Sequence, residues 1–242
     1  MKNIAAFFDI DGTIYREGLI TEVFKKMIKY ELIDASKWHS DVRPAFLNWD
    51  KRLGDYDTYL LKMVDVYTEA VKGTTPYHMS YIAQKVIEQK GDRVYTFSRQ
   101  RIKNHKENGH KVIAISGSPI ELVKEMSNKY DMDDYRGTIY KVNEQGTYSG
   151  DIIPMWDAVS KRKSILEMVD KYDIDLAESY AYGDTTGDLT MLKMVGHPFA
   201  INPTKELLSK ILEDEELKQK ITIIVERKDV TYRMSLEHLD LI

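Results

Sequence analysis

FFDIDGTIY, residues 7–15, places two aspartates, Asp9 and Asp11, one residue apart at the end of an apolar run, with Gly12 and Thr13 directly behind them. The wider stretch IAAFFDI (4–10) is short, apolar and closed by Asp-Gly, the pattern of a buried strand. If Asp9 ends that strand, Asp11 returns to the same side of the chain two residues on. Two carboxylates that close repel, and one stays protonated unless a cation neutralises the pair. Magnesium suits such a place: it prefers oxygen ligands, takes few protein carboxylates, and keeps waters and a substrate phosphate. The competing reading is an ordinary Asp-Gly turn. The nine residues alone leave both open.

Outward from this strand the pattern changes. From about Glu17 to Gly91 the apolar spacing is helical, as in ITEVFKKMIKYELI (20–33) and YLLKMVDVYTEAV (59–71), and Gly54, Gly73 and Pro76 punctuate it. Alternation of β and α then resumes. RVYTFSRQRIKNHKENG (93–109) reads as a helix stopped by Gly109, and HKVIAIS (110–116) as a second buried strand. ELVKEMSNKY (121–130) is helical, and GTIYKVNEQGTYSGDII (137–153) is a hairpin turning near Glu144–Gly146. KRKSILEMVDKY (161–172) is a helix, ESYAYGD (178–184) a third strand and LTMLKMVG (189–196) a helix, with HPFAIN and ITIIVE as further short strands. Strands alternating with helices predict an α/β fold: a Rossmann-like, doubly wound parallel sheet with helices on both faces. The expected division is a core of residues 1–16 and 91–242 with an inserted α-helical cap at 17–90. Ligands of such sheets bind at the carboxyl ends of the strands. Three strands end there in polar residues: Asp9 and Asp11, Ser116, and Asp184.

Each further motif is ambiguous alone. In VIAISGSP (112–119), Ser116 and the glycine-freed backbone at Gly117 suit a phosphate, or mark a plain turn. In AYGDTTGD (181–188), Asp184 and Asp188 suit a metal, or cap a helix. Lys161 opens a helix, with Lys163 as its neighbour and rival. Taken together and in order, AAFFDIDGT, VIAIS, Lys161 and SYAYGDTTGD resemble the haloacid dehalogenase superfamily, whose pattern is hhhhDxDGT, hhhhS, a lysine and hhhhGDxxxD, with h apolar. IDLAESYAYGDTTGDLTMLKMVGHPFAINP (174–203) is similar to the phosphoserine-phosphatase-like branch, whose helical cap follows the first motif directly.

That resemblance implies a magnesium-dependent phosphatase acting on a small phosphomonoester through an aspartyl-phosphate. By position it implies Asp9 as nucleophile, Asp11 as general acid and then base, and Lys161 as counter-charge. Ser116 and Gly117 would bind the phosphoryl group. Asp9, Asp11 (through its carbonyl), Asp184 and Asp188 (directly or through water) would hold Mg2+. The lysine's usual glycine-containing lead-in is replaced here by WDAVS (156–160). The glutamate that holds the substrate ammonium in phosphoserine phosphatases falls at Gly18, with Glu17 one place away. Cationic and aromatic residues of the insert (Trp38, His39, Arg43, Trp49, Lys51, Arg52, Tyr56 and Tyr59) read either as a pocket for an anionic or flat ester or as an ordinary bundle. A receiver-type signalling module and a phosphotransferase of the same fold are the rival readings. Asp11 would have no task in the first.

Composition narrows the rest. A net charge of −4 carries no nucleic-acid footprint. No apolar run nears the ~18 residues of a membrane span, and the acids come too early for a signal peptide. The absence of cysteine excludes disulfides and thiolate zinc sites and fits the cytoplasm. The six histidines have no i,i+4 pair suited to zinc, and the acidic run after Leu212 reads as a solvated helix face. The expected partner is a small phosphorylated metabolite. The tail VTYRMSLEHLDLI (230–242) is apolar enough to pack on the core or on a second subunit, and oligomeric state stays open.

Overall fold

The computed structural model describes residues 2–54 and 56–236, with backbone alone at 35, 56 and 57. Among them, eight strands form one sheet in the order β4-β3-β2-β1-β5-β6-β7-β8. The strands are β1 (Ala5–Phe8), β2 (Lys111–Pro119), β3 (Asp134–Val142), β4 (Tyr148–Ile153), β5 (Tyr180–Gly183), β6 (His197–Ile201), β7 (Thr222–Arg227) and β8 (Val230–Met234). The six central strands, β3 to β7 in that order, run parallel, and each edge is closed by an antiparallel partner. This is the doubly wound α/β sheet that the alternation predicts, with the hairpin at 134–153 supplying one edge. The first part of the tail, β8, pairs with β7 as the other edge; residues 237–242 lie outside the described chain.

Side-chain alternation in β1 explains the two-faced burial. Ala6 and Phe8 point into one apolar layer, Ala5 and Phe7 into the other, and all four are fully buried. The first layer is covered by α6 (Thr96–Glu107), α7 (Ile120–Lys129) and helices of the segment between β1 and β2. The second is covered by α8 (Ala158–Tyr172), α9 (Leu189–Met194), α10 (Lys205–Glu213) and α11 (Glu215–Lys220). Truncating a ring such as Phe8 in this setting costs about 3–5 kcal/mol.

The segment between β1 and α6 holds α1 (Leu19–Lys29), α2 (Ala35–Lys37), a π turn over Trp38–Val42, α3 (Arg43–Asp50), α4 (Tyr56–Val71) and α5 (Pro76–Lys90). α1 buries Leu19, Ile20, Val23, Phe24 and Met27, one stripe at helical spacing. Thr75 caps α5 ahead of Pro76. Trp38, Phe46, Trp49 and Tyr59 pack into one aromatic cluster with ring centroids 5.5–5.8 Å apart. The chain leaves and re-enters the core on two strands of linker zipped together. Arg16 N–H donates to the Arg93 carbonyl, Tyr95 N–H to Ile14, and the Ser98 hydroxyl to Thr13. Glu226 on β7 accepts from the first two amides of α6 and from Arg16, which anchors that junction to the sheet.

α8 begins at Ala158, three residues before the helical pattern in the sequence suggests. Asp157 is its N-cap, accepting from the Val159 and Ser160 amides at 3.0 and 2.9 Å. No helix among the described residues is long and apolar enough to cross a membrane.

Candidate active site

A cavity of about 480 Å³ opens over the carboxyl ends of β1, β2 and β5. Asp9, Asp11, Ser116, Gly117 and Lys161 line it, together with Thr185–Gly187 of the loop after β5. The sequence-predicted residues Asp184 and Asp188 lie directly beneath: ligand atoms of Asp9, Asp184 and Asp188 fall within 4.8 Å of one another, all three buried.

β1 delivers Asp9 because its preceding residues are wholly interior and its backbone is pinned on both sides, by β2 and by β5. The Asp9 amide donates to the Tyr182 carbonyl at 3.0 Å. Past the strand the chain turns sharply through Gly12, at φ +78°. A Cβ there would sit 2.0 Å from Asp184 Oδ2, so the turn and the acid can coexist only with glycine. Thr13 donates its hydroxyl to Asp184 Oδ1 at 2.9 Å, tying the first motif to the last.

Lys161 reaches into the cluster from the first turn of α8. Its ammonium donates to Asp9 Oδ1 at 2.8 Å and to Asp188 Oδ1 at 2.5 Å, and it is only 3% exposed. Lys163 is exposed on the same helix and takes no part. Burial opposes the Lys161 charge, but Asp188 and Asp9 outweigh it and hold the group protonated, above its ordinary range. Asp188 spends its other oxygen on the loop, accepting from the amides of Asp184 and Thr185 at 3.0 and 3.1 Å. It is thus the organiser of the 184–188 turn as well as a member of the cluster.

Asp11 does not join the three clustered acids. Its Oδ1 accepts from the Leu19 amide at the start of α1 (2.6 Å), and its Oδ2 from the Ser118 hydroxyl (2.5 Å). Ser116, fully buried, accepts from the Ser118 amide at 3.2 Å.

Electrostatically the site is short of positive charge. Burial, with Asp188 and Asp11 adding to it, pushes the Asp9 carboxyl up to about 8 despite Lys161. Burial, then Asp188 and Asp9, pushes Asp184 well up too, and burial raises Asp11 against its two hydrogen bonds. Three buried carboxylates facing one ammonium, all oxygen donors, fit a hard divalent cation such as magnesium.

Sequence reasoning assigned no role to Thr13, Ser118, Trp156 or Asp157. Thr13 and Ser118 stood in the quoted motifs, and Ser118 lies two residues past Ser116, on the same side of an extended chain. Trp156 and Asp157 were visible only as an unexplained departure from the usual lead-in to the lysine. Of the two readings of the insert's aromatic and cationic residues, the ordinary bundle holds: Trp38, Trp49 and Tyr59 are bound up in the aromatic cluster, and His39, Arg43, Lys51 and Arg52 are exposed. None of them lines the cavity; the insert contributes Gly18, Ile20, Leu60, Leu61 and Val64 instead. The side chain of Tyr56 lies outside the description.

Comparisons with known proteins bear on the family and the fold. The family model for haloacid dehalogenase-like hydrolases matches residues 6–193, and the chain belongs to that family. A probable phosphatase of Mycobacterium tuberculosis is 30% identical over 209 residues, 84% of this chain and 70% of that protein. A histidinol-phosphatase of Neisseria meningitidis is 21% identical over 228 residues, 91% of this chain and 96% of its own. Among solved structures, a phospho-aspartyl intermediate analogue of phosphoserine phosphatase superposes with a TM-score of 0.56 at 19% identity, covering 95% of this chain and 96% of that one; it is similar in fold. The chain is therefore a hydrolase of the phosphatase type within this family.

Proposed function

We propose that the protein is a magnesium-dependent phosphomonoesterase that works through an aspartyl-phosphate on Asp9. The observation that carries this reading is the buried triangle of Asp9, Lys161 and the Asp184–Asp188 turn, at the floor of a cavity lined by Ser116 and Gly117. Asp9 Oδ attacks phosphorus, the ester P–O bond breaks, and Asp11 gives its proton to the departing alkoxide. Asp11 lines the cavity beside Asp9, where its side chain is placed for that proton transfer. Water then attacks the phosphorus of the acyl phosphate while Asp11 takes its proton back, and phosphate and free Asp9 are released. Lys161 holds Asp9 in place and offsets the charge gathering there, while the Ser116 hydroxyl and the Gly117 backbone hold phosphoryl oxygens. Asp9, Asp184, Asp188 and the Asp11 carbonyl would hold Mg2+, which supplies charge neutralisation when bound. Residues 17–90 serve as the cap, and the substrate is a small phosphorylated metabolite met in the cytoplasm.

The test is phosphate release from a panel of small phosphomonoesters with magnesium, with chelator, and with Asp9→Asn. Magnesium-dependent release that vanishes in the variant supports the reading. Release that survives either chelation or the substitution contradicts it. A phosphotransferase would show consumption of ester, in the presence of an acceptor alcohol, without matching free phosphate.

A further inference from the structure

The mouth of the cavity is built differently from its floor. Besides the acids it is lined by Ile20 of α1 and by Leu60, Leu61 and Val64 of α4, the last at i,i+4 and i,i+3 from the two leucines. Trp156, in the segment before α8, lines the same cavity.

That tryptophan is held in place. The buried Thr138 hydroxyl on β3 donates to the Gly117 carbonyl at 2.7 Å and accepts from the Met155 amide at 3.2 Å, which staples the 155–157 segment to the phosphate-side loop. The fit is close: a Cβ on Gly117 would meet Trp156 Cβ at 2.9 Å. Asp157, next to it, is committed to capping α8.

Free positive charge is missing from this wall. Among the described residues lining the cavity, Lys161 is the sole cation, and it is spent on Asp9 and Asp188. A substrate carboxylate or second phosphate would find no counter-charge and would meet the fixed anion of Asp157. Glu17, the acid nearest to where an ammonium-binding glutamate would stand, is half-exposed and paired with Arg93 at 2.8 Å, off the cavity lining. An uncompensated ionic group costs more to desolvate here than the wall returns.

We infer that the leaving group is the alcohol of an uncharged, apolar body, aryl or alkyl, seated between Trp156 and the Ile20–Leu60–Leu61–Val64 wall. This makes Trp156 and Leu61 specificity-determining residues, and it rests on the phosphatase reading given above.

The experiment compares kcat/KM for 3-phenylpropyl phosphate and O-phosphoserine, both esters of primary alcohols, in magnesium, for the unmodified protein, Trp156→Ala and Leu61→Glu. Leu61 is 54% exposed, so its variant keeps the fold even if the tryptophan truncation does not. The ratio of the two constants is independent of the fraction of folded enzyme. The unmodified protein should favour the phenylpropyl ester by at least about tenfold, and each variant that folds should cut that ratio by about tenfold or more. A preference for phosphoserine, or a ratio that neither variant moves, overturns the inference while the released phosphate leaves the phosphatase reading standing. No release from either ester, nor from any member of the wider panel, overturns that reading and this inference with it.

Discussion

Replacing Lys161 with methionine removes one ammonium and two short hydrogen bonds from a place where Lys161 is 3%, Asp9 6% and Asp188 0% exposed. The methionine roughly fills the space, so the loss is electrostatic. Breaking a buried ion pair by deleting one partner typically costs about 3–5 kcal/mol, because the other charge is left uncompensated. For a chain of this size each kcal/mol is worth about 2–4 °C, so the metal-free variant should melt about 6–20 °C lower. Magnesium should recover part of that loss, since it neutralises the same carboxylates. Turnover should fall about 10- to 150-fold, the worth of one charge-assisted hydrogen bond of about 1.5–3 kcal/mol in the transition state. Thermal melts with and without magnesium, beside phosphate-release rates, measure both. The exposed Lys163→Met is the control and should change neither. Equal effects from the two lysines, or a Lys161→Met protein that melts and turns over like its parent, would remove Lys161 as the counter-charge of Asp9 and Asp188.

Two further outcomes are expected. Gly12→Ala puts a methyl 2.0 Å from Asp184 Oδ2 at a left-handed φ, so it should displace Asp184 and cost about 10²-fold in turnover along with a raised magnesium requirement; an unchanged magnesium titration would contradict the close approach. His105 is buried on α6, where its Nε2 meets the Tyr182 hydroxyl at 2.8 Å, and burial, then Arg101 and His110, lower its pKa from 6.5 to about 3. With the folded value depressed, its contribution is complete above 6.5 and is lost as pH falls from 6.5 toward 3. That amounts to about 1.4 kcal/mol by pH 5.5. Urea unfolding at pH 7.5 and 5.5 should show this difference shrinking by that amount in His105→Gln; an unaltered pH dependence would remove the histidine as its source.

The parts of the site that were legible in the sequence are those fixed by short-range geometry. Asp9, Ser116 and Asp184 each end an apolar run, and strand-end placement follows from the run itself. Lys161 was not legible on physical grounds: its burial depends on α8 crossing beneath β1, a contact 152 residues apart in sequence. Only the order of the motifs singled it out. Trp156 and Asp157 looked like a departure from pattern because their roles, wall and helix cap, depend on where β3 and the 184–188 loop come to rest. In the insert, composition left a pocket and an ordinary bundle open, and bundle packing collects the tryptophans with Tyr59 and leaves the described cations on the outside. Plain leucines and a valine face the cavity, and nothing in their spacing distinguishes them from core. The antiparallel edge β8 likewise depends on pairing with β7 rather than on its own alternation.

The covalent step at Asp9 can be trapped directly. Enzyme mixed with an excess of a good ester in magnesium, quenched in acid within one turnover and reduced with borohydride, should yield a peptide in which Asp9 alone has become homoserine, because borohydride reduces an acyl phosphate and leaves free carboxylates untouched. That conversion is expected in the unmodified protein and is absent without substrate. Active enzyme that shows no reduced aspartate, or shows it at Asp11 or Asp184, would contradict an aspartyl-phosphate on Asp9.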